Sequence, residues 1–254
     1  MGILAKEFYL PFIKKEKLVK DTYSFYFDRV RRGLSFLPGQ YMRMILDIKN
    51  PDERGNSRFF TIASSPLEKD YIMITTKITQ SPVPDGTGES SFKKRLIELK
   101  AQEKVQFFGP MGEFVLNEEK KEDRVFLAGG IGITPFHSML TYAYQKILSI
   151  PIALIVSFST AQDIFWHKEL QEIATNNPSI KVIYTVSRPE KSNTKWNGET
   201  GRISDVLIKS HVPDFLRPLY YIVGPPAMVA GIEDVVKKIG VSSEKIFIEN
   251  FTGY

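Results

Sequence analysis

The chain has 254 residues, 43% of them hydrophobic and 25% charged, the balance of a folded globular protein with one large or two modest domains. It has no cysteine, which excludes disulfides, a cysteine nucleophile and an iron–sulfur cluster held by this chain. The three histidines, His137, His167 and His211, are too far apart for a short metal motif, so no metal is expected.

The net charge of +5 is too mild to imply nucleic acid. No apolar run approaches the ~20 residues of a membrane span and the first residues lack a signal-peptide core, so a cytoplasmic chain is expected, with no membrane partner. Residues 1–120 hold 20 Lys+Arg against 16 Asp+Glu, and residues 121–254 hold 14 against 13. A solvated basic face accounts for the excess in the first half; a dock for an acidic protein is the alternative.

Between residues 8 and 114 the chain reads as short strands with turn punctuation. Segments 22–27, 41–48, 71–78 and 104–108 are aromatic, β-branched or alternating. One helix is expected over 91–99, with Phe92, Leu96 and Leu99 on one face, and a Pro- and Gly-rich loop over 82–88. Many strands and a single helix predict a small antiparallel barrel over 1–120. The strand Arg58-Phe-Phe-Thr-Ile-Ala-Ser-Ser65 carries the chemistry. Alternation puts Arg58, Phe60 and Ile62 on one face and Thr61 on the other. A guanidinium fork suits phosphate and an aromatic suits stacking, although a plain edge strand accounts for the same residue types.

The stretch Leu127-Ala-Gly-Gly-Ile-Gly-Ile-Thr-Pro135 follows a buried strand at 125–128 and precedes a helix expected over 136–147. Gly129, Gly130 and Gly132 strip side chains from a tight turn, Thr134 is expected to cap the helix, and Pro135 to take its first position. Such a turn offers bare N–H groups and the helix dipole to a diphosphate, though glycines also serve close backbone packing. Pro135 stands where a third fingerprint glycine would be, and no carboxylate follows the strand at 152–158 until Asp163. An ordinary NAD dehydrogenase is therefore disfavoured. Strands at 152–158, 180–186 and 219–223 then alternate with helices expected at 163–174, 202–210 and 226–239. That alternation predicts a doubly wound parallel sheet over 121–254, with the glycine turn and Gly224-Pro225 at its ligand-binding strand ends.

Five segments in order resemble the ferredoxin–NADP reductase family and span essentially the whole chain. Phe36-Leu-Pro-Gly-Gln-Tyr41 precedes the Arg-x-Phe-Thr-x-x-Ser motif at 58–64. Gly88-Glu-Ser-Ser91, Gly129 to Pro135 and Val223-Gly-Pro-Pro-Ala-Met228 follow. The resemblance implies that Arg58 binds a flavin diphosphate, Phe60 packs on one flavin face, and Thr61 hydrogen-bonds near N5, with Ser64 in the same motif. Gly88 and Ser91 would serve a second phosphate, which favours FAD over FMN. Lys77 would wall the ring, approach the nucleotide or simply be solvated. Gly129, Gly130, Gly132, Thr134, Pro135, Gly224, Pro225 and Met228 would hold the nicotinamide nucleotide.

Ser187 and Arg188 match the family's 2′-phosphate position, favouring NADPH, while Ser159 in place of a further basic residue leaves NADH open. Glu249 aligns with a carboxylate near the ring, and Phe251, or else Tyr254, with an aromatic covering the other flavin face. Thr61, Glu249 and Phe251 are thus the expected catalytic residues. Two residues depart from the pattern: Phe60 replaces a tyrosine and Val223 a cysteine. The expected function is electron transfer from NAD(P)H through FAD to a one-electron acceptor such as ferredoxin or flavodoxin. The alternatives are the reductase component of an oxygenase or multi-subunit redox complex, and a flavin-binding module without turnover.

Overall fold

A computed structural model describes residues 4–30, 32–78 and 90–252. The loop at 82–88, with Gly88, and the terminal Tyr254 lie outside the described residues. The chain divides into two compact units, Met1–Leu116 and Asn117–Tyr254.

In the first unit, strands β1 (Lys6–Val19), β2 (Thr22–Asp28), β3 (Tyr41–Ile45), β4 (Ser57–Thr61), β5 (Tyr71–Lys77) and β6 (Lys104–Met111) accompany one helix, α1 (Ser91–Ile97). The sheet order is β4-β3-β6-β1-β2-β5, with every pairing antiparallel. Its two ends approach each other where Ala63 N–H donates to the Met73 carbonyl (2.7 Å) and Met73 N–H to Ser64 Oγ (3.0 Å). This is the expected barrel. Strand β1 is long because it serves two ladders: residues 6–11 pair with β6 and residues 12–19 with β2. Inward alternation of Leu10, Phe25, Phe27, Met42, Met44, Ile72, Ile74 and Phe107 fills the interior, and Phe92 and Leu96 of α1 join the same core.

The second unit contains β7 (Arg124–Gly129), α2 (Thr134–Gln145), β8 (Ile152–Phe158), α3 (His167–Asn176), β9 (Ile180–Val186), β10 (Glu199–Thr200), α4 (Asp205–His211), β11 (Leu219–Gly224), α5 (Pro226–Lys238) and β12 (Ile246–Asn250). All pairings are parallel in the order β10-β9-β8-β7-β11-β12, so the chain winds outward from β7 and then returns to its other side. The order reverses between β7 and β11. Both strands are buried along their whole length, as expected of a parallel sheet covered on both faces.

Arg124, 1% exposed, donates from Nη2 to the carbonyls of Asn117 (3.0 Å) and Lys120 (2.9 Å). Glu118 accepts from Tyr142 Oη (2.6 Å) and Lys146 Nζ (2.8 Å). Among the described residues, no helix is long and apolar enough to cross a membrane.

Several boundaries differ from the sequence expectation for local reasons. The helix expected at 163–174 is a short 3-10 turn, Ala161–Asp163, followed by α3. Thr160 and Asp163 cap that turn reciprocally, and Trp166 at φ +57° separates it from α3. The helix expected at 202–210 begins at Asp205, where Ser204 caps Leu207 N–H. The helix expected at 91–99 ends at Ile97, and the one expected at 136–147 ends at Gln145, before Ile147 at φ +53°.

Candidate functional site

In the barrel, Arg58 and Phe60 leave the same face of β4, and both reach Phe92. The Arg58 guanidinium carbon lies 5.2 Å from the Phe92 ring centre and the Phe60 ring 5.8 Å from it. Phe59 points the other way and is 62% exposed, while Thr61 is buried. Arg58 Nη1 donates to the carbonyls of Arg54 (2.6 Å), Gly55 (3.2 Å) and Ser57 (2.7 Å), which fixes the guanidinium in place. Its Nη2 is buried with no hydrogen-bond partner and lies 3.6 Å from Asp52 Oδ1.

Asp52 gathers the remaining donors. Ser91 gives it both N–H (2.8 Å) and hydroxyl (2.9 Å), and Arg54 gives N–H (3.0 Å), Nε (3.2 Å) and Nη2 (3.1 Å). The Arg54 side chain, foremost, and the Ser91 donors hold the Asp52 carboxyl far below the usual carboxylate range. Lys93 is pushed down to about 8, first by burial and then by the charges of Arg54, Arg58 and Lys77. Arg54 and Arg58 thus share the Asp52 carboxylate, and their charges, with that of Lys77, are felt at Lys93. An orphaned guanidinium nitrogen in such a cluster fits a phosphate-bearing ligand. Lys93, Arg54 and Asp52 escaped the sequence reading; the only signal was Asp52-Glu-Arg-Gly55 just ahead of the Arg58 motif. Ser64, by contrast, is buried and spends its oxygen on the Met73 N–H that helps to close the barrel. A cavity of about 460 Å³ opens beside Ser91, lined by Ile48, Lys49, Lys94 and Arg95 among others.

In the second unit the glycine turn and the end of β11 meet at the reversal point of the sheet, where ligands of such folds bind. A Cβ on Gly132 would lie 2.6 Å from the Val223 carbonyl oxygen, and one on Gly129 would lie 2.0 Å from Met228 Sδ. Both glycines therefore permit close approach. Gly130, at φ +53° with open space around it, is the one that supplies the turn. Thr134 does not cap α2. Its hydroxyl instead donates to the Ile131 carbonyl (3.1 Å), because residues 130–133 already form a 3-10 turn whose last residue, Ile133, is the cap position. Pro135 is consequently the second helical residue.

Strand register sets Ala128, Val223 and Glu249 side by side across β7, β11 and β12. Phe251 N–H donates to the Gly224 carbonyl (2.9 Å), anchoring the chain just past β12. Glu249 is half-buried; its Oε2 is enclosed without a hydrogen-bond partner, and burial pushes its carboxyl up to about 7. At the end of β9, Ser187 and Arg188 N–H groups donate to the carbonyls of Phe158 and Ser159 (both 2.9 Å), leaving the Arg188 side chain exposed. Asp163, the first carboxylate after β8, accepts from Thr160 N–H (3.1 Å) and Oγ1 (2.7 Å) and is spent on that cap. A second cavity, about 530 Å³, lies along β9 between His167, Lys181, Trp196 and His211, and contains none of the residues that the resemblance assigns to flavin or nucleotide.

An antiparallel barrel with a cationic cluster beside its short helix, followed by a parallel sheet with a glycine crevice at its reversal point, is the architecture of a two-unit flavin- and nicotinamide-nucleotide-binding oxidoreductase. The family models agree unit by unit: the oxidoreductase FAD-binding domain matches residues 9–116 and the oxidoreductase NAD-binding domain residues 126–234. With both models matched in series, the chain belongs to the ferredoxin–NADP reductase-like family of FAD- and NAD-binding oxidoreductases.

Among curated relatives, a component of the Na⁺-translocating NADH-quinone reductase of Klebsiella pneumoniae is 30% identical over 83% of this chain and 52% of its own length. The glycine betaine monooxygenase reductase component of Chromohalobacter salexigens is 26% identical over 85% of this chain and 56% of its own. The chain thus spans about half the length of these relatives. Two solved structures share the fold at 21% identity. A cytochrome P450 reductase of Amycolatopsis superposes with a TM-score of 0.81 over 98% of this chain and 71% of its own. The cytochrome b5 reductase domain of Ulva prolifera nitrate reductase gives 0.80 over 96% and 97%.

Proposed function

We propose that this chain is an NAD(P)H-dependent FAD oxidoreductase that passes electrons singly to a small redox protein such as ferredoxin or flavodoxin. The observation that carries the reading is the buried, unpartnered Arg58 Nη2 within a cluster of cations on β4 and α1. Arg58 and Ser91, with Gly88 by resemblance, bind the FAD diphosphate, Lys77 and Lys93 add positive charge, and Phe60 and Thr61 orient the flavin. FAD, when bound, supplies the conversion between two-electron and one-electron chemistry, and the protein supplies position and electrostatics. Gly129, Gly130, Gly132, Thr134, Pro135, Gly224, Pro225 and Met228 form the nucleotide crevice. Glu249, beside Val223, holds a proton at the crevice's edge, and Phe251 or Tyr254 is the aromatic of the reacting end.

NADPH is the proposed reductant, because Arg188 is exposed and Asp163, the carboxylate that could have read a ribose hydroxyl, is occupied. A second reading has support from the relatives' names: the chain acts as the reductase component of an oxygenase or of a larger redox complex. With no cysteine, any iron–sulfur centre of that complex would sit elsewhere than on this sequence.

Anaerobic titration of the purified protein with NADH and NADPH separately tests the first reading. Bleaching of the flavin by NADPH at the lower concentration, with the preference abolished in Arg188→Ala, is the expected result. Equal bleaching by both nucleotides overturns the NADPH assignment, and no bleaching by either overturns nucleotide oxidation. Isolation from native extract distinguishes the second reading by returning a stable complex in place of one small acidic carrier.

A further inference from the structure

We propose that the Asp52 carboxylate is an internal stand-in for phosphate, seated among the barrel's cations when flavin is absent and displaced when the FAD diphosphate binds. The inference rests on the reading that Arg58 and Ser91 take that diphosphate. Asp52 thereby sets how tightly the site takes FAD.

The geometry is that of a bound anion. One carboxylate accepts five hydrogen bonds: two from Ser91 and three from Arg54. These are charge-assisted or backbone donors, the kinds that a phosphate oxygen recruits. Asp52 also returns its own N–H to Ser91 Oγ (2.9 Å), so a single residue closes the contact from both directions. The match to Arg58 is incomplete, however. Its free Nη2 is 3.6 Å from Asp52 Oδ1, and this buried donor makes no hydrogen bond. One carboxylate satisfies Ser91 and Arg54 and stops short of Arg58; a diphosphate has the oxygens to reach all three.

The charge balance points the same way. Arg54, Arg58, Lys77 and Lys93 lie close enough together for the first three to depress Lys93. A single aspartate offsets only part of that charge, and a diphosphate offsets more. Asp52 is also placed to move. It lies in the connection between β3 and β4, closed at its base by Leu46 N–H to the Asn56 carbonyl (2.9 Å), with a left-handed Gly55 at φ +72°. Hydrogen bonds between this turn and α1 run through Asp52 and Ser91. Releasing that one side chain uncovers Ser91 and Arg54 together.

A rival role is a permanent brace that aims Arg54 and Ser91 at the ligand. The two roles predict opposite signs. The full-length protein is stripped of flavin and titrated with FAD and with riboflavin, which has no phosphate. Removing the competitor in Asp52→Asn should tighten FAD on the order of tenfold, the size of one charge-assisted hydrogen bond. Riboflavin binding should stay unchanged, and the stripped variant should melt below the stripped wild type. Asp52→Ser, which keeps a short polar side chain, gives the same comparison if the asparagine variant does not fold. FAD binding that is unchanged or weaker in these variants overturns the proposal. Failure of the underlying reading shows elsewhere: Arg58→Ala would then bind FAD as tightly as the wild type, whatever the Asp52 variants do.

Discussion

The two units build their candidate phosphate seats from opposite materials. The barrel uses side chains that are present: Arg54, Arg58, Lys93 and Ser91 converge from a turn, a strand and a short helix. The parallel sheet uses side chains that are absent: Gly132 lets the turn after β7 lie against the end of β11, and Gly129 lets the Met228 side chain of α5 lie against β7, both at distances that no Cβ allows. Charge built from side chains can be retuned one residue at a time and screened by salt. A backbone crevice cannot be tuned, only blocked. The first seat is therefore the place to look for adjustment, and the second the place to look for rigidity.

The comparison breaks most visibly at Arg58. Replacing it with alanine leaves the core residues of the barrel in place and removes a buried guanidinium nitrogen that makes no hydrogen bond. Flavin retention after purification should fall by on the order of 10–100-fold in affinity, with the melting temperature changing far less. Flavin content equal to wild type would mean that side-chain charge is not what holds the cofactor.

Gly132→Ala reverses the pattern. Its Cβ would be driven against the backbone at Val223 and Gly224, which cannot rotate away. A loss of about 1–3 kcal/mol of stability is expected, read by denaturant unfolding of the second unit. Gly129→Ala meets only the end of the Met228 side chain, so it should cost less. Equal costs at the two positions would show that the crevice yields as a whole.

The most condition-dependent effect concerns Glu249, a titratable side chain aligned with the crevice row. Its carboxyl is raised from 4.5 to about 7, so the folded state binds a proton that the unfolded state releases. Its contribution to stability is fully present below about pH 4.5 and is lost as pH rises through about 7. Glu249→Gln should flatten that stretch of the pH–stability curve relative to wild type. An unchanged curve would place the proton on another group.

The fold was legible because its signals are periodic. Alternating strands in the first half, and apolar runs separated by helical spacing in the second, follow from burial on one face or on two. Strand β1 was harder to see: Lys14, Lys15 and Lys17 belong to the basic excess of the first half and are solvent-exposed, yet each pairs with β2. The Thr134 cap failed because the residues before it were already helical, a matter of dihedral angles that the residue types do not encode. Arg58, Phe60 and Ser91 could be picked out by motif, whereas Asp52 and Lys93 reach the same place through the turn before β4 and the first turn of α1. Convergence of that kind is a property of tertiary structure. Glu249 was legible as a residue, but its shifted proton affinity follows from burial beside β11, which spacing does not reveal.

Arg124 carries a consequence for how such chains can be assembled. A buried cation that holds the carbonyls of Asn117 and Lys120 makes the segment after Leu116 part of the parallel sheet's own foundation. A recombination joint between Leu116 and Asn117 would keep the Arg124 guanidinium and both carbonyls on one side of the cut. A joint placed after Lys120 would replace the segment 117–120 whose backbone presents both carbonyls to the guanidinium. Modularity in this architecture has a seam, and Arg124 marks which side of it the linker belongs to.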